Sequence, residues 1–294
     1  MRSILTRKIR LPAVAGAFYE GNAEALKAQI EWTFTHSLGP GTLPKPVIKG
    51  PRKTIGLISP HAGYMYSGPV AAHGYFQLAI DGMPELFIIL GPNHTGLGSG
   101  ISIDYGEDWE TPLGIAKVRD DVAKEIAAKS GIADLDPLAH KYEHSIEVQL
   151  PFLQYIFKNE ISIVPITMMM QSPDEAKTLA KAIYDVEKEL GLDIMVIATT
   201  DFTHYEPHSI AIKKDKLVIE AILELNTDKV YERVTSYNIS MCGPGPVMTL
   251  IEYAKLRSRE YEVSAKLLKY ATSGDITGDK SAVVGYGSIL FSKG

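Results

Sequence analysis

TIGLISPHAGYMYSG, residues 54–68, is an apolar run that stops at a histidine set among small residues. The apolar residues are continuous and do not alternate with polar ones. A run of this kind is typical of a strand that is covered on both faces in a parallel sheet. The stretch therefore predicts a buried strand that delivers His61 to the edge of a sheet.

Two further stretches repeat this arrangement. Residues 86–90, LFIIL, run into GPNH and His94, and residues 194–198, IMVIA, run into TTDFTH and His204. In open α/β sheets, ligands bind outside the carboxyl ends of the strands. We therefore expect the three histidines to converge on one crevice.

Strand and helix patterns alternate along the second half of the chain, which is typical of βαβ units. Helices are predicted at residues 22–36, 69–80, 118–129, 143–157, 172–190, 210–225, 228–237 and 243–257, and further strands at 101–103, 161–167, 193–200, 262–271 and 282–291. No repeat or linker divides the sequence. The predicted fold is α/β, with a central, mostly parallel sheet flanked by helices in a single domain over residues 1–294.

Composition excludes several classes of function. The 294 residues are 45% hydrophobic and carry a net charge of -5, so there is no basic field for nucleic acid. The basic segment 1–10 is followed by too short an apolar run for a signal peptide, and no stretch is long enough to span a membrane. With a single cysteine, Cys242, no intrachain disulfide forms. We expect a cytoplasmic protein without nucleic-acid or membrane partners.

Three residues are candidate metal ligands. His61 and His94 each follow a predicted strand among glycine and proline, and neutral imidazole is the commonest metal ligand in proteins. The alternative for each histidine alone is a hydrogen-bonded structural role. Cys242 precedes a predicted helix, whose N-terminus favours the thiolate. It is a metal ligand, a nucleophile or, in the plainer interpretation, a small buried apolar residue.

Acid–base candidates surround these ligands. Asp201 and His204 are three residues apart and predicted to share one face of a turn, where the aspartate would orient the imidazole. The alternative is that Asp201 caps the next segment and His204 packs beneath it. His144, between Glu143 and Glu147, is a second acid–base candidate, or part of a helix cap. There is no His-Glu-x-x-His, Cys-x-x-Cys or phosphate loop, so any site assembles from distant strands.

Six short segments, in this order along the chain, resemble the Memo family: AGAFY at 15–19, PHAGY at 60–64, GPNH at 91–94, EHSIE at 143–147, DFTH at 201–204 and CG at 242–243. The first carries no evident chemistry and serves as a structural marker. The resemblance implies a LigB-like fold, similar to that of the class III extradiol dioxygenases, with the pocket in the equivalent place.

The resemblance also implies roles for individual residues. His61, His94 and Cys242 match the metal-binding positions of the family, and Asp201, His204 and His144 match polar residues around its pocket. The ring-cleaving relatives use two histidines and a carboxylate. A cysteine in place of the carboxylate is softer and accepts iron, copper or zinc, so ring cleavage does not carry over.

Three functions remain open on the sequence. The first is a metal-dependent oxidoreductase that holds iron or copper, in which His204, oriented by Asp201, moves protons. The second is a non-catalytic binding module for a peptide, a phosphopeptide or a small anion. It is favoured by the link of eukaryotic Memo proteins with signalling and by the helix start at 243–246. The third is a zinc-dependent hydrolase in which His204 or Glu143 activates water.

Overall fold

The computed structural model describes residues 7–158 and 161–294, so most of the basic segment 1–10 lies outside it. The described strands are β1 (Lys8–Arg10), β2 (Thr54–Ser59), β3 (Leu86–Pro92), β4 (Ile101–Ile103), β5 (Glu107–Thr111), β6 (Gly114–Val118), β7 (Asp134–Leu135), β8 (Ile161–Met168), β9 (Ile194–Thr199), β10 (His204–Glu206), β11 (Val263–Thr272) and β12 (Val283–Lys293). The helices are α1 (Ala23–Thr35), α2 (Tyr64–Asp81), α3 (Asp120–Ser130), α4 (Leu150–Phe157), α5 (Pro173–Leu190), α6 (His208–Leu223), α7 (Thr227–Ser236), α8 (Pro244–Arg257) and α9 (Ser273–Thr277). None of these helices combines the length and the apolar character needed to cross a bilayer.

The strands form one mixed sheet whose main path runs β1-β5-β6-β8-β3-β9-β2-β12-β10. The four central strands β8, β3, β9 and β2 are mutually parallel. Antiparallel pairs lie towards the margins, at β5–β6, β2–β12 and β12–β10. This topology confirms the predicted α/β class with a mostly parallel central sheet.

Apolar side chains of the central strands pack on both faces of the sheet. In β3, Leu86, Ile88 and Leu90 join the core beneath α3, α5 and α8, whereas Phe87 and Ile89 join the core beneath α1, α2 and α4. All five are fully buried. Because each face has its own helical cover, these strands are continuously apolar rather than alternating, as their sequences predict.

Most of the predicted helices form, with caps that fit their sequences. The Asn22 side chain accepts hydrogen bonds from two N–H groups in the first turn of α1. Ser172 and Glu175 form a capping box at the start of α5, and Gly191 ends that helix in a left-handed conformation.

The sequence predicts that helix α2 begins at Pro69, but the helix begins at Tyr64. Pro69 lies in the second turn, where the missing N–H removes one hydrogen bond to the carbonyl of Met65. Tertiary contacts compensate: Tyr64 is buried, its N–H donates to the carbonyl of Phe18 and its hydroxyl donates to the carbonyl of Val148. The helix therefore starts only three residues after His61.

The predicted helix at 143–157 is wrong over its first half. Residues 147–149 form a 3₁₀ turn, and α4 covers only the segment after it, with Pro151 in its first turn. The N–H groups of His144 and Ser145 bond to the carboxylate of Glu143. These bonds stabilise the irregular segment that precedes the 3₁₀ turn. The strands of the β5–β6 hairpin and the short helix α9 are not among the predicted elements.

Candidate metal centre

Two parallel strands and one helix bring the candidate ligands together. His61 follows β2, His94 follows β3, and Cys242 immediately precedes the Gly243 cap of α8. Cys242 Sγ lies 3.2 Å from His61 Nε2, and the two imidazole centroids are 5.2 Å apart. One ligand atom from each residue falls within 4.8 Å of the other two. This spacing lets all three contact one ion.

Gly243 allows the cysteine loop to approach the end of β9. A Cβ at this position would lie 2.4 Å from the carbonyl oxygen of Thr199, a contact that real side chains do not make. The Gly243 N–H donates to Oγ1 of Thr200 at 3.0 Å, and the Cys242 N–H donates to the carbonyl of Asp201 at 3.3 Å. The absence of a side chain at residue 243 therefore sets the position of the thiol.

Each histidine is oriented through its Nδ1 atom. His61 Nδ1 lies 3.0 Å from Oγ1 of Thr199, and His94 Nδ1 lies 2.9 Å from a carboxylate oxygen of Glu143. Partners of this kind fix the tautomer of a metal-binding histidine and leave Nε2 as the ligand. Burial, followed by the neighbouring imidazoles of His144 and His94, lowers the pKa of His61. The ring is therefore neutral, the form that binds metals.

Glu143 is a support for His94 and a poor metal ligand itself. A second group, His94, Glu143 and His144, also has metal-binding spacing. However, the Glu143 carboxylate already accepts from the backbone N–H groups of His94, His144 and Ser145 and from the His94 ring. Burial alone would raise its pKa, but the His94 side chain and these backbone donors outweigh burial and lower the pKa to about 2. We therefore assign the candidate metal position to the group with Cys242.

The helix start does not favour a thiolate at Cys242, contrary to the sequence-based expectation. Burial, and after it the Asp201 carboxyl, raises the pKa of the thiol. This result disfavours a free nucleophile. A thiolate here needs a cation against the sulfur, and a bound metal supplies one.

Asp201 lies beside the ligands but does not orient His204. Its Oδ1 accepts the backbone N–H of His61 at 3.0 Å, and burial raises its pKa to about 6 against the opposing effect of that hydrogen bond. His204 begins strand β10, and its Nδ1 lies 2.7 Å from the carbonyl of Ser240. The predicted turn with a shared face is wrong, because β10 pairs with β12 and points the His204 ring towards Ser240.

His144 completes a cluster of three imidazoles. Its ring stacks on His94 at 4.6 Å between centroids and lies edge-on to His61 at 5.5 Å. Phe18 packs against its other side at 4.7 Å. Phe18 belongs to AGAFY, which sequence reasoning treated as a structural marker only. Tyr19 in the same segment donates to Glu147, a contact that anchors the segment beside the site.

The cluster forms the floor of a cavity of about 670 Å³. Its wall contains residues from six parts of the chain: Phe18; His61, Ala62, Gly63 and Tyr66; His94; His144; Asp201, His204 and Tyr205; and Ser273, Thr277, Asp279, Ala282, Val284 and Tyr286. All the predicted polar site residues except Cys242 line this space, and the Cys242 thiol touches His61 at its floor. The ligand and proton-transfer roles stay predictions.

Comparison with known proteins gives the family. A family model described as Memo-like protein matches residues 10–290. MEMO1 family proteins of Sulfurisphaera tokodaii and Sulfolobus acidocaldarius are each 50% identical over 285 residues, which cover 96% of this chain and 99% of each relative. The MEMO1 family protein of Ignicoccus hospitalis is 48% identical over 283 residues, 96% of this chain and 98% of the relative.

The fold is also similar to that of a solved structure with little sequence in common. The crystal structure of an uncharacterized protein from Escherichia coli K12 superposes with a TM-score of 0.54, covering 81% of this chain and 99% of that one. At 11% identity the likeness concerns the fold alone. Together with the full-length relatives, it supports the predicted LigB-like α/β architecture. This chain belongs to the Memo family.

Proposed function

We propose that this Memo family protein is a metal-dependent oxidoreductase that holds iron or copper with His61, His94 and Cys242. The observation that carries the proposal is the 3.2 Å approach of Cys242 Sγ to His61 Nε2, with each histidine already oriented from its Nδ1 side. Two imidazoles and one thiolate suit copper, iron and zinc better than the hard cations magnesium and calcium.

The groups around the proposed metal position suit the proton transfers that accompany a redox reaction. A bound iron or copper ion would supply electron transfer to or from the substrate. The protein would supply the proton transfers, with His144 and His204 on the cavity wall as acid–base groups. Burial is the main cause that lowers the pKa of His144, so this ring is neutral at pH 7 and available as a base.

The metal content of purified protein tests this proposal. Untagged protein would be reconstituted anaerobically with iron, copper or zinc, and the bound metal measured by elemental analysis. His61→Ala, His94→Ala and Cys242→Ser should each lose near-stoichiometric iron or copper while keeping the native circular dichroism spectrum. His36→Ala is the matched control, because His36 lies outside the cavity wall.

The outcomes separate the three functions. Iron or copper that is lost in the ligand variants, with oxygen uptake on adding a reducing aromatic substrate, supports the oxidoreductase. Metal retained in all three variants contradicts the ligand assignment. Zinc bound in preference to the redox metals, with ester or amide turnover in the absence of oxygen, would indicate the hydrolase. No metal bound under any condition would favour the binding module.

A further inference from the structure

The charge of the cavity wall is one-sided. Among the described residues that line it there is no lysine or arginine, whereas two carboxyl groups, Asp201 and Asp279, are present. Apart from the histidines and the proposed metal ion, a phosphate or carboxylate ligand would therefore meet no cationic side chain on this wall. Lys280 follows Asp279 in the chain, but the wall of the cavity does not include it, and its backbone carbonyl accepts the N–H of His208.

The same wall is rich in aromatic rings. Phe18, Tyr66, Tyr205 and Tyr286 line the cavity together with the histidine cluster. Aromatic faces carry negative electrostatic potential and attract ammonium groups. A ligand with an aromatic ring and a positively charged group would therefore contact both the aromatic rings and the carboxyl groups of this wall.

Tyr205 is held at the cavity in a strained conformation. Its φ is 58°, in the left-handed region that a bulky residue rarely adopts. The β10–β12 pairing is irregular between His204 and Glu206, so Tyr205 is the residue at the irregularity. Its side chain is 78% exposed despite its size. Backbone strain that presents a large aromatic ring to solvent at a cavity points to contact with a ligand.

The cavity has a buried end and a solvent-exposed end. His61 is 2% exposed and Asp201 is 4% exposed, whereas Tyr205, Thr277 and Asp279 are exposed. Tyr205 and Asp279 therefore belong to the solvent-exposed part of the wall, as does His94, whereas His61 and Asp201 lie at its inner end. Asp279 is fixed in place because its Oδ1 accepts both the N–H and the hydroxyl of Ser281. These hydrogen bonds also lower its pKa, so it carries a negative charge at pH 7.

We propose that the cavity selects aromatic ligands that carry a positively charged amine, with the ring among the aromatic side chains and the ammonium group at Tyr205 and Asp279. The inner end of this assignment rests on the proposed function, since a phenol oxygen would face the His61, His94 and Cys242 group. The placement of the ammonium group at the outer end depends only on the residues of the cavity wall and not on a bound metal. A receptor for phosphopeptides or small anions would have the opposite preference for ligand charge.

A charge series of matched phenols tests the selection. Tyramine, tyrosol and 4-hydroxyphenylacetate share the phenol ring and differ chiefly in a terminal charge of +1, 0 or -1 at neutral pH. Isothermal titration calorimetry at pH 7.5 would compare them on protein with and without reconstituted metal. We expect tyramine to bind about tenfold more tightly than the acid, with tyrosol between them, from one exposed charge pair and one cation–π contact.

Two variants locate the selecting group. Asp279→Asn should reduce the preference of tyramine over 4-hydroxyphenylacetate roughly fivefold, as expected for an exposed charge pair, and 0.5 M salt should reduce it similarly. Asp134→Asn, which removes an exposed carboxylate on β7 away from the cavity, should leave the preference unchanged. Tyr205→Ala should weaken tyramine more than tyrosol.

Metal binding and phenol selectivity are measured independently, so each can fail without the other. Preference for tyramine in protein that binds no metal would support the selection and contradict the metal centre. Equal or tighter binding of 4-hydroxyphenylacetate, or of phenyl phosphate, would overturn the selection even if metal is bound. Absence of binding by all three phenols at millimolar concentration would overturn it as well.

Discussion

Glu143→Gln should damage both the stability of the protein and the candidate metal centre. The carboxylate accepts four N–H donors, three from the backbone and one from the His94 ring. Oε1 accepts three of these bonds and Oε2 accepts only the His94 N–H, so a glutamine that keeps its oxygen at the Oε1 position turns its NH2 group onto the His94 N–H. One unsatisfied donor of this kind costs about 1–3 kcal/mol, so the free energy of unfolding should fall by about 1–3 kcal/mol.

The effect on metal binding should be separate and measurable. Loss of the support behind His94 should weaken metal affinity about 10- to 100-fold, the range found when such partners are removed. Urea unfolding of metal-free protein gives the first effect, and competition with a chelator at a temperature where the variant is fully folded gives the second. Glu232→Gln on the exposed face of α7 is the control and should change neither.

Two outcomes would refute this reasoning. If the unfolding free energy of Glu143→Gln lies within about 0.5 kcal/mol of the wild type, the typical range for surface substitutions, the four hydrogen bonds do not stabilise the turn as the structure implies. If the variant is destabilised but retains full metal affinity, Glu143 supports the fold and not the orientation of His94.

Three further changes test other parts of the structure. Glu147→Gln leaves the buried guanidinium of Arg10 without its carboxylate partner, 2.8 Å away, so urea unfolding should show a loss of about 3–5 kcal/mol; a loss below about 1 kcal/mol would contradict this role. Burial and the Arg10 charge lower the pKa of His140 to about 3, below its unfolded value near 6.5, so its contribution is present above pH 6.5 and is lost as pH falls towards 3. Between pH 7 and pH 5 the wild type should lose about 2 kcal/mol more than His140→Gln, and equal losses in denaturant titrations would exclude His140 as the cause. Gly243→Ala should displace the Cys242 loop and reduce bound metal in elemental analysis, whereas Gly131→Ala, strained by its φ of 62° but outside the cavity wall and with open space around the new Cβ, should keep it.

The central strands could be predicted from sequence because they obey a simple rule. Strands β2, β3 and β9 are covered on both faces, and their apolar runs are therefore unbroken. The residues after such runs lie at one edge of a parallel sheet, which is how His61 and His94 could be placed near each other. Cys242 was a candidate ligand from its place ahead of a predicted helix, and the family resemblance grouped it with the two histidines, since no local spacing links it to either of them.

Errors in the prediction arose where tertiary contacts overrode local patterns. The apolar spacing at 143–157 is helical, but the carboxylate of Glu143 binds the N–H groups of an irregular segment, and α4 begins only after a 3₁₀ turn. Pro69 resembles a helix start, but buried Tyr64 extends α2 ahead of it. In both cases the deciding partner is a specific side-chain or packing contact, and hydrophobic periodicity carries no information about it.

The supports of the histidines depend on strand register, which the sequence does not encode locally. Strand β9 lies between β3 and β2, and Ser59 of β2 pairs in register with Thr199 of β9. This pairing brings the Thr199 hydroxyl to the His61 ring although 138 positions separate the two residues.

The two residues that follow Thr199 continue the pattern. Thr200 accepts the N–H of Gly243, and Asp201 accepts the N–H of His61. Successive side chains in a strand point to opposite faces, so a slip of one residue in β9 would turn Thr199 away from His61. The end of this one strand therefore controls both the imidazole and the thiol. Its register, more than the identity of any single ligand, holds the candidate centre together.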